Sequence, residues 1–194
     1  MIKQERPAAP AWLNEKSEHW GQLFQKRKLK NPKAVFKWPT YNGTTINKLL
    51  VPILSKMTDE HCSFCDAHPM YKIYPTIEHF KPKSHFPRLV CDWKNLYICC
   101  SFCQQKGDKY SKLLLRPDAM DYSFERYFIY DYNKHLLQPN PTASTQDQQR
   151  AKTTIELYQL NTTQKQTARE AELAAFEQSN NNIVNDFAYR YLYL

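Results

Sequence analysis

Apolar residues in the first thirty positions recur at helical spacing. Trp12, Leu13, Trp20, Leu23 and Phe24 fall within residues 6–30, which read as a strap followed by a helix. A second short helical run is expected at 46–54, leading into a pair of cysteines. Between 62 and 109 the helical period fades and turn residues accumulate. This stretch is expected to form a metal knuckle, a hairpin-like loop and a short helix. Residues 127–132 are aromatic and β-branched enough for a strand, and 138–145, with two prolines, read as a linker. Helical spacing returns at 147–160 through Ala151, Thr154, Ile155 and Tyr158. Thr162 or Thr163 then caps a last helix running to about Gln178, with Ala168, Ala171, Leu173, Ala175 and Phe176 inside it and a stop at 180–182.

With 194 residues and 42% apolar composition, the chain is long enough for a core and not globally disordered. Lysine and arginine total 27 against 19 acidic residues, a net charge of +8 that favours a polyanionic partner. The basic run Lys26 to Lys30 reads either as a solvated helix end or as a phosphate contact. No apolar run approaches the roughly 20 residues a membrane span needs, and the charged, proline-broken start lacks a secretory apolar segment. A cytoplasmic protein without a membrane partner is expected, in which six cysteines stay reduced.

The cysteines change the picture most. Cys62-Ser-Phe-Cys65 is repeated as Cys100-Ser-Phe-Cys103, and two such knuckles complete a tetrahedral Zn²⁺ site. Four thiolates leave no open coordination position, so this zinc is expected to be structural. Cys91 and Cys99 are expected to be buried apolar residues rather than ligands, and His61 and His68 beside the first knuckle are disfavoured substitute ligands. The 34 residues between the knuckles exceed a compact zinc ribbon, so something is inserted there.

The insertion carries Glu78-His79, Asp92-Trp93-Lys94-Asn95 and several lysines, and Gln104-Gln105-Lys106-Gly107-Asp108-Lys109 follows the second knuckle. Hydrolysis of a phosphodiester needs such parts. A histidine can activate water, a cation held by carboxylate and amide oxygens can polarise phosphate, and lysines can hold the backbone.

Glu-His-Phe-x-Pro-Lys-Ser, Asp-Trp-x-Asn-Leu, and Cys-x-x-Cys followed by Lys-Gly-Asp-Lys, framed by the earlier Cys-x-x-Cys, resemble the HNH (His-Me finger) endonuclease superfamily. Within it the chain resembles the HNH nuclease subunit of Septu and retron anti-phage systems. Patches outside the core share the likeness: residues 10–20, Arg150-Ala151 through Asn161, and Arg169. The resemblance implies an α+β fold, with a zinc-stapled ββα-metal core at 61–112, an N-terminal helical extension at 1–60 and a C-terminal strand and helical extension at 113–194.

It also implies roles. His79 takes the position of the general base, and Glu78 that of a carboxylate ligand for catalytic Mg²⁺ or Mn²⁺. Asn95 takes that of the central asparagine bracing the loop that carries the base. Gln104 takes the position of a metal-binding histidine or asparagine and is the second expected ligand of that ion; the stretch is one residue shorter than expected, so Gln105 or Asp108 is an alternative that could share the role. His85 is the alternative base. Lys81, Lys83, Lys106 and Lys109 are the candidate nucleic-acid contacts. Implied partners are a nucleic-acid substrate, an ATPase subunit and, in the retron branch, a reverse transcriptase with its RNA–DNA product. The alternative is a non-catalytic zinc module that binds nucleic acid or a protein. Trp12, Trp20, Phe176, Phe187, Tyr189, Tyr191 and Tyr193 are expected either to meet such a partner or to pack into the chain's own core.

Overall fold

The computed structural model describes residues 1–70, 75–180 and 183–193. Helix α1 (Ala11–Lys30) buries Leu13, Gly21 and Phe24 and ends on Arg27, Lys28 and Lys30, cations suited to the negative end of the helix dipole. Gly21 is needed for a close approach. A Cβ there would lie 2.0 Å from the carbonyl oxygen of Arg88, in the 3₁₀ turn Pro87–Leu89. The missing side chain lets α1 clamp the segment that holds the candidate catalytic loop.

A small hairpin, β1 (Thr40–Tyr41) and β2 (Thr44–Thr45), follows. Its two-residue turn is Asn42-Gly43, both at positive φ, the residues such a tight turn favours. Helix α2 (Ile46–Met57) buries Ile46, Leu50 and Leu54, one stripe at four-residue spacing.

The central pair is β3 (Thr76–His79) antiparallel to β4 (Leu96–Cys99), with Ile77 opposite Ile98, Glu78 opposite Tyr97 and His79 opposite Leu96. Every residue of β4 is buried, so this strand is the spine of the core. The short helix α3 (Ser101–Gln104) follows at once, capped by Cys100, whose sulfur accepts from the Cys103 N–H. Strand, loop, strand and short helix are thus consecutive.

Helix α4 (Phe124–Tyr127) leads into β5 (Phe128–Asp131), antiparallel to β6 (Leu136–Pro139). Helices α5 (Thr145–Leu157) and α6 (Thr163–Gln178) follow, capped by the Ser144 and Thr162 hydroxyls, which accept from the N–H groups of Asp147 and Lys165, and two 3₁₀ turns, Val184–Asp186 and Arg190–Leu192, come after them.

One continuous core cluster draws residues from the whole chain, from Leu13 through Tyr97 to Leu192. Phe64 of the first knuckle stacks on Tyr158 at 3.9 Å between ring centres. Gln4 donates to the Ser63 carbonyl, and Arg190 grips Asp66 through its side chain, with contacts from 2.8 Å, and its own N–H. Both ends of the chain are therefore tied to the first cysteine knuckle.

The mixed α+β architecture agrees with expectation, and no described helix is long and apolar enough to cross a membrane. One expectation needs correction. The stretch 138–145 is not all linker, because Gln138 and Pro139 pair as strand with Ile129 and Phe128. The hairpin at 40–45 adds an element that the hydrophobic pattern does not predict. The last helix ends at Gln178 as expected, and the stop at 180–182 lies partly outside the described residues. The aromatics proposed for a partner turn largely inward: Tyr189 and Tyr191 are buried, Phe176 stacks on Tyr193, and Trp12 stacks on Tyr41.

Candidate functional site

The sulfur atoms of Cys62, Cys65, Cys100 and Cys103 all lie within 4.8 Å of one another, fully buried or nearly so. Cys65 Sγ and Cys100 Sγ are 3.6 Å apart. Four thiolates about 2.3 Å from one zinc ion sit about 3.8 Å from each other at the corners of a tetrahedron, so the donor set fits this metal in kind and size. Among the described residues this is the only group of three or more His, Cys, Asp or Glu side chains close enough to share an ion. Cys91 and Cys99 stand outside it as buried thiols, and burial pushes Cys91 up to about 12.

The surroundings suit an anionic cluster. The N–H of Cys100 points at Cys62 Sγ (3.4 Å) and that of Cys103 at Cys100 Sγ (3.5 Å). Lys165, buried on α6, places its ammonium 3.6 Å from Cys103 Sγ while donating to the carbonyls of Tyr158 and Gln159. Burial would lower the Lys165 pKa, but the cysteines, Cys103 foremost, raise it.

His79 ends β3 and is 6% exposed. Its Nε2 lies 2.9 Å from the Val90 carbonyl oxygen, which can only accept, so Nε2 carries the proton and Nδ1 keeps a free lone pair. Burial first, then the charge of Lys83, pulls its pKa down to about 4, so the ring is neutral near pH 7. Trp38 stacks on the imidazole at 5.3 Å and Phe36 meets it edge-on at 5.7 Å. The ring is thus fixed on one side by a backbone carbonyl and on others by aromatic surfaces.

Asn95, 4% exposed, ties the loop together. Its Oδ1 accepts from the Lys81 N–H (2.7 Å), and its Nδ2 donates to the carbonyls of Lys81 (3.1 Å) and Leu89 (3.0 Å). One amide therefore joins the residue two beyond His79 to the residue before Val90. The Phe80 N–H donates to the Asn95 carbonyl and continues the β3–β4 pairing by one step.

Glu78 is buried, with Oε1 2.8 Å from Lys106 Nζ. Desolvation lifts its pKa to about 7, against the pull of Lys106. Lys106 corrects a sequence expectation. It is not a surface cation for nucleic acid: its side chain is fully buried, and it donates to the carbonyls of Lys109, Gly107 and Phe80. A buried ammonium needs a counter-charge, and Glu78 supplies it. Gln104 is half-buried on α3 and donates to the Ile77 carbonyl at 3.4 Å, which places it beside β3. Gln105, Asp108, Lys109, Lys83 and His85 are exposed, and Lys81 is half-buried over the Phe86 ring. The charges of Lys83 and Asp108 both act on Glu78.

Sequence reasoning missed Val90, whose contribution is a backbone carbonyl that any residue could supply. It also missed Phe36 and Trp38, which reach His79 from some forty residues upstream. Gly21, which lets α1 clamp the loop, is one of only three glycines in the chain, and that scarcity was a readable signal.

No family model matches the chain. Two curated relatives are similar to it. The Septu protein PtuB of Bacillus thuringiensis is 32% identical over 114 residues, covering 58% of this chain and 39% of that protein. The Septu protein PtuB of Bacillus mycoides (strain KBAB4) is 29% identical over 126 residues, covering 56% of this chain and 41% of that protein. The chain thus spans about two fifths of the length of the curated relatives it matches, and what it shares with them is a PtuB-like relationship over somewhat more than half of its own residues.

Proposed function

We propose that this chain is an endonuclease of the HNH type, acting in anti-phage defence of the Septu kind with an ATPase partner. The observation that carries the reading is the set of constraints on His79. Its Nε2–H is held by Val90 and its ring is neutral, while Asn95 pins the loop on either side, which leaves Nδ1 as a base aimed by the fold. The consecutive strand, loop, strand and short helix, closed by a four-cysteine cluster, support it. So does the similarity to PtuB.

In this reading His79 Nδ1 removes a proton from the water that attacks phosphorus. Asn95 acts through position, keeping the base and the Val90 carbonyl in register. Zn²⁺ on the four cysteines would fasten α3 to the first knuckle and so fix the end of β4. Glu78 and Gln104 would hold Mg²⁺ or Mn²⁺, hard cations that take oxygen donors and keep several waters. When bound, such an ion polarises the phosphate and stabilises the leaving oxygen. Lys106 engages Oε1 of Glu78, leaving the other carboxylate oxygen for the ion, and its role becomes counter-charge instead of substrate contact. Lys81, Lys83 and Lys109 remain the substrate-facing cations.

The Glu78–Lys106 pair is also the observation that favours a second reading, a zinc module without catalysis, since Lys106 already gives the carboxylate an internal counter-charge without any metal ion. Incubating the purified chain with DNA and RNA pools in Mg²⁺ or Mn²⁺, alone and with the ATPase of its system, separates the two. Metal-dependent cleavage that rises when the ATPase is added supports the enzyme. No cleavage of any pool in either condition supports the module.

A further inference from the structure

Residues 19–58 contain no aspartate or glutamate, although the chain has 19 acidic residues in 194. Forty residues drawn at that frequency would carry about four, and the acid-free stretch carries eight lysines and arginines. Six of these, Lys26, Arg27, Lys28, Lys30, Lys33 and Lys37, crowd the end of α1 and the strap that follows it. We infer that this face is the track along which a nucleic-acid strand is led to His79, an inference that rests on the nuclease reading and names its substrate-binding surface.

Two adjoining cavities, of about 460 and 470 Å³, run between the end of α1 and the strap and share Arg27, Lys30 and Lys37. The first has an apolar floor that includes Trp20, Phe24 and Phe36. Phe36 lies 5.2 Å from Phe24, 5.0 Å from Trp38 and 5.7 Å from His79, so the floor of the groove is one ring away from the imidazole. Exposed Lys83 adds a cation beyond it, near enough to lower the pKa of both His79 and Glu78.

The cations divide by task. Arg27 donates to the Val35 carbonyl and Lys28 to the Pro32 carbonyl, so these two hold the strap in shape. Lys26, Lys30, Lys33 and Lys37 are exposed, and among the described residues no ion pair engages them. Unpaired cations in a row beside a neutral histidine suit a backbone of regularly spaced phosphates. The ring of Phe36 on the groove floor, with Trp38 packed against it, suits bases or sugars arriving there.

The test uses the full chain in a His79→Ala background, so that nothing is cut, with Lys30, Lys33 and Lys37 changed together to Gln. Binding of a labelled DNA duplex, the matching single strand and an RNA of the same sequence is followed by fluorescence anisotropy across about 50 to 200 mM salt. The track requires at least a tenfold loss of affinity for one of these ligands. It also requires a fall of about 2 to 3 in the slope of log affinity against log salt, since each phosphate contact contributes about 0.9 on duplex and 0.7 on single strands. Changing exposed Lys56 and Lys152 to Gln leaves both nearly unaltered, and equal melting temperatures show that every variant is folded. Affinity and slope in the triple variant equal to those of the parent overturn the inference. So does a polyglutamate peptide that depends on the three lysines while the nucleic acids do not, because the groove would then read an acidic protein. Cleavage is scored separately with His79 intact. Lysine-dependent binding without cleavage in Mg²⁺ keeps the track and removes the nuclease. Cleavage with lysine-independent binding keeps the nuclease and removes the track.

Discussion

Replacing Asn95 with alanine removes three hydrogen bonds that cross-tie the loop between β3 and β4: one to the Lys81 N–H, one to the Lys81 carbonyl and one to the Leu89 carbonyl. Each such bond contributes about 1 kcal/mol net. Lys81 and Leu89 are half-buried, so water can partly replace the lost partner, and the total should stay near 3 kcal/mol. For a chain of this size each kcal/mol moves the melting temperature by about 2 to 4 °C, so the variant should melt about 6 to 12 °C lower. Its zinc content should not change, because the amide touches none of the cysteines. Cleavage should fall more steeply than stability explains: Val90, which holds the His79 ring, follows Leu89 directly, and a 1 Å misplacement of a catalytic group can cost about 100-fold. Asn95→Asp sharpens the test. It keeps an acceptor for Lys81 but turns a carboxylate oxygen toward two carbonyls, so it should be at least as destabilised at pH 7 and partly recover as pH falls and the acid protonates. Differential scanning calorimetry, metal analysis and a single-turnover assay read the three consequences. An Asn95→Ala protein that melts within about 2 °C of the parent and cuts at the parental rate would refute the clamp.

The cysteine cluster should carry one zinc per chain by metal analysis, and Cys100→Ser or prolonged chelation should lose both the metal and the folded core, since binding and folding are linked in such sites. Asp118 accepts from Tyr97, Arg116 and Arg6, and although burial raises its pKa, these bonds bring it below the ordinary carboxylate range. Its contribution is therefore complete above the unfolded value of about 3.9 and is lost as pH falls through the lower folded value. Asp118→Asn should cost about 3 to 5 kcal/mol in a denaturation titration at pH 7, because Arg6 beside it is 8% exposed and would be left uncompensated, and should flatten the acid limb of the stability profile. Gln104→Ala should raise the Mg²⁺ concentration needed for half-maximal cleavage; an unaltered requirement transfers the ligand role to Gln105 or Asp108.

How much of this was legible depends on where the information sits. The helices could be read because their apolar stripes are local: Ile46, Leu50 and Leu54 mark α2 without any tertiary knowledge. The four-cysteine cluster could be read because a repeated Cys-Ser-Phe-Cys has few uses other than gathering its thiols around one point. His79, Glu78 and Asn95 were singled out from their motif, and the β3–β4 pairing brings their segments together. The Val90 carbonyl left no trace, since every residue has one. Lys106 misled because lysine is rarely buried, and only its pairing with Glu78 makes burial affordable. Phe36 and Trp38 were invisible as neighbours of His79, because their contact depends on how α1 and its strap fold back. The Asn42-Gly43 hairpin was legible and overlooked: that dipeptide is a strong turn signal, but two-residue strands give no alternation to go with it.

The central claim is that His79 is the base of a metal-dependent nuclease. Its most direct test is the single-turnover cleavage rate of the parent and of His79→Ala in saturating Mg²⁺ or Mn²⁺, together with the proposed ATPase partner, with the fold checked by melting temperature and zinc content. The account predicts a loss of about 10²- to 10⁴-fold with the zinc retained. A folded, zinc-loaded His79→Ala protein that cuts at the parental rate would contradict it and send the search for the base to His85.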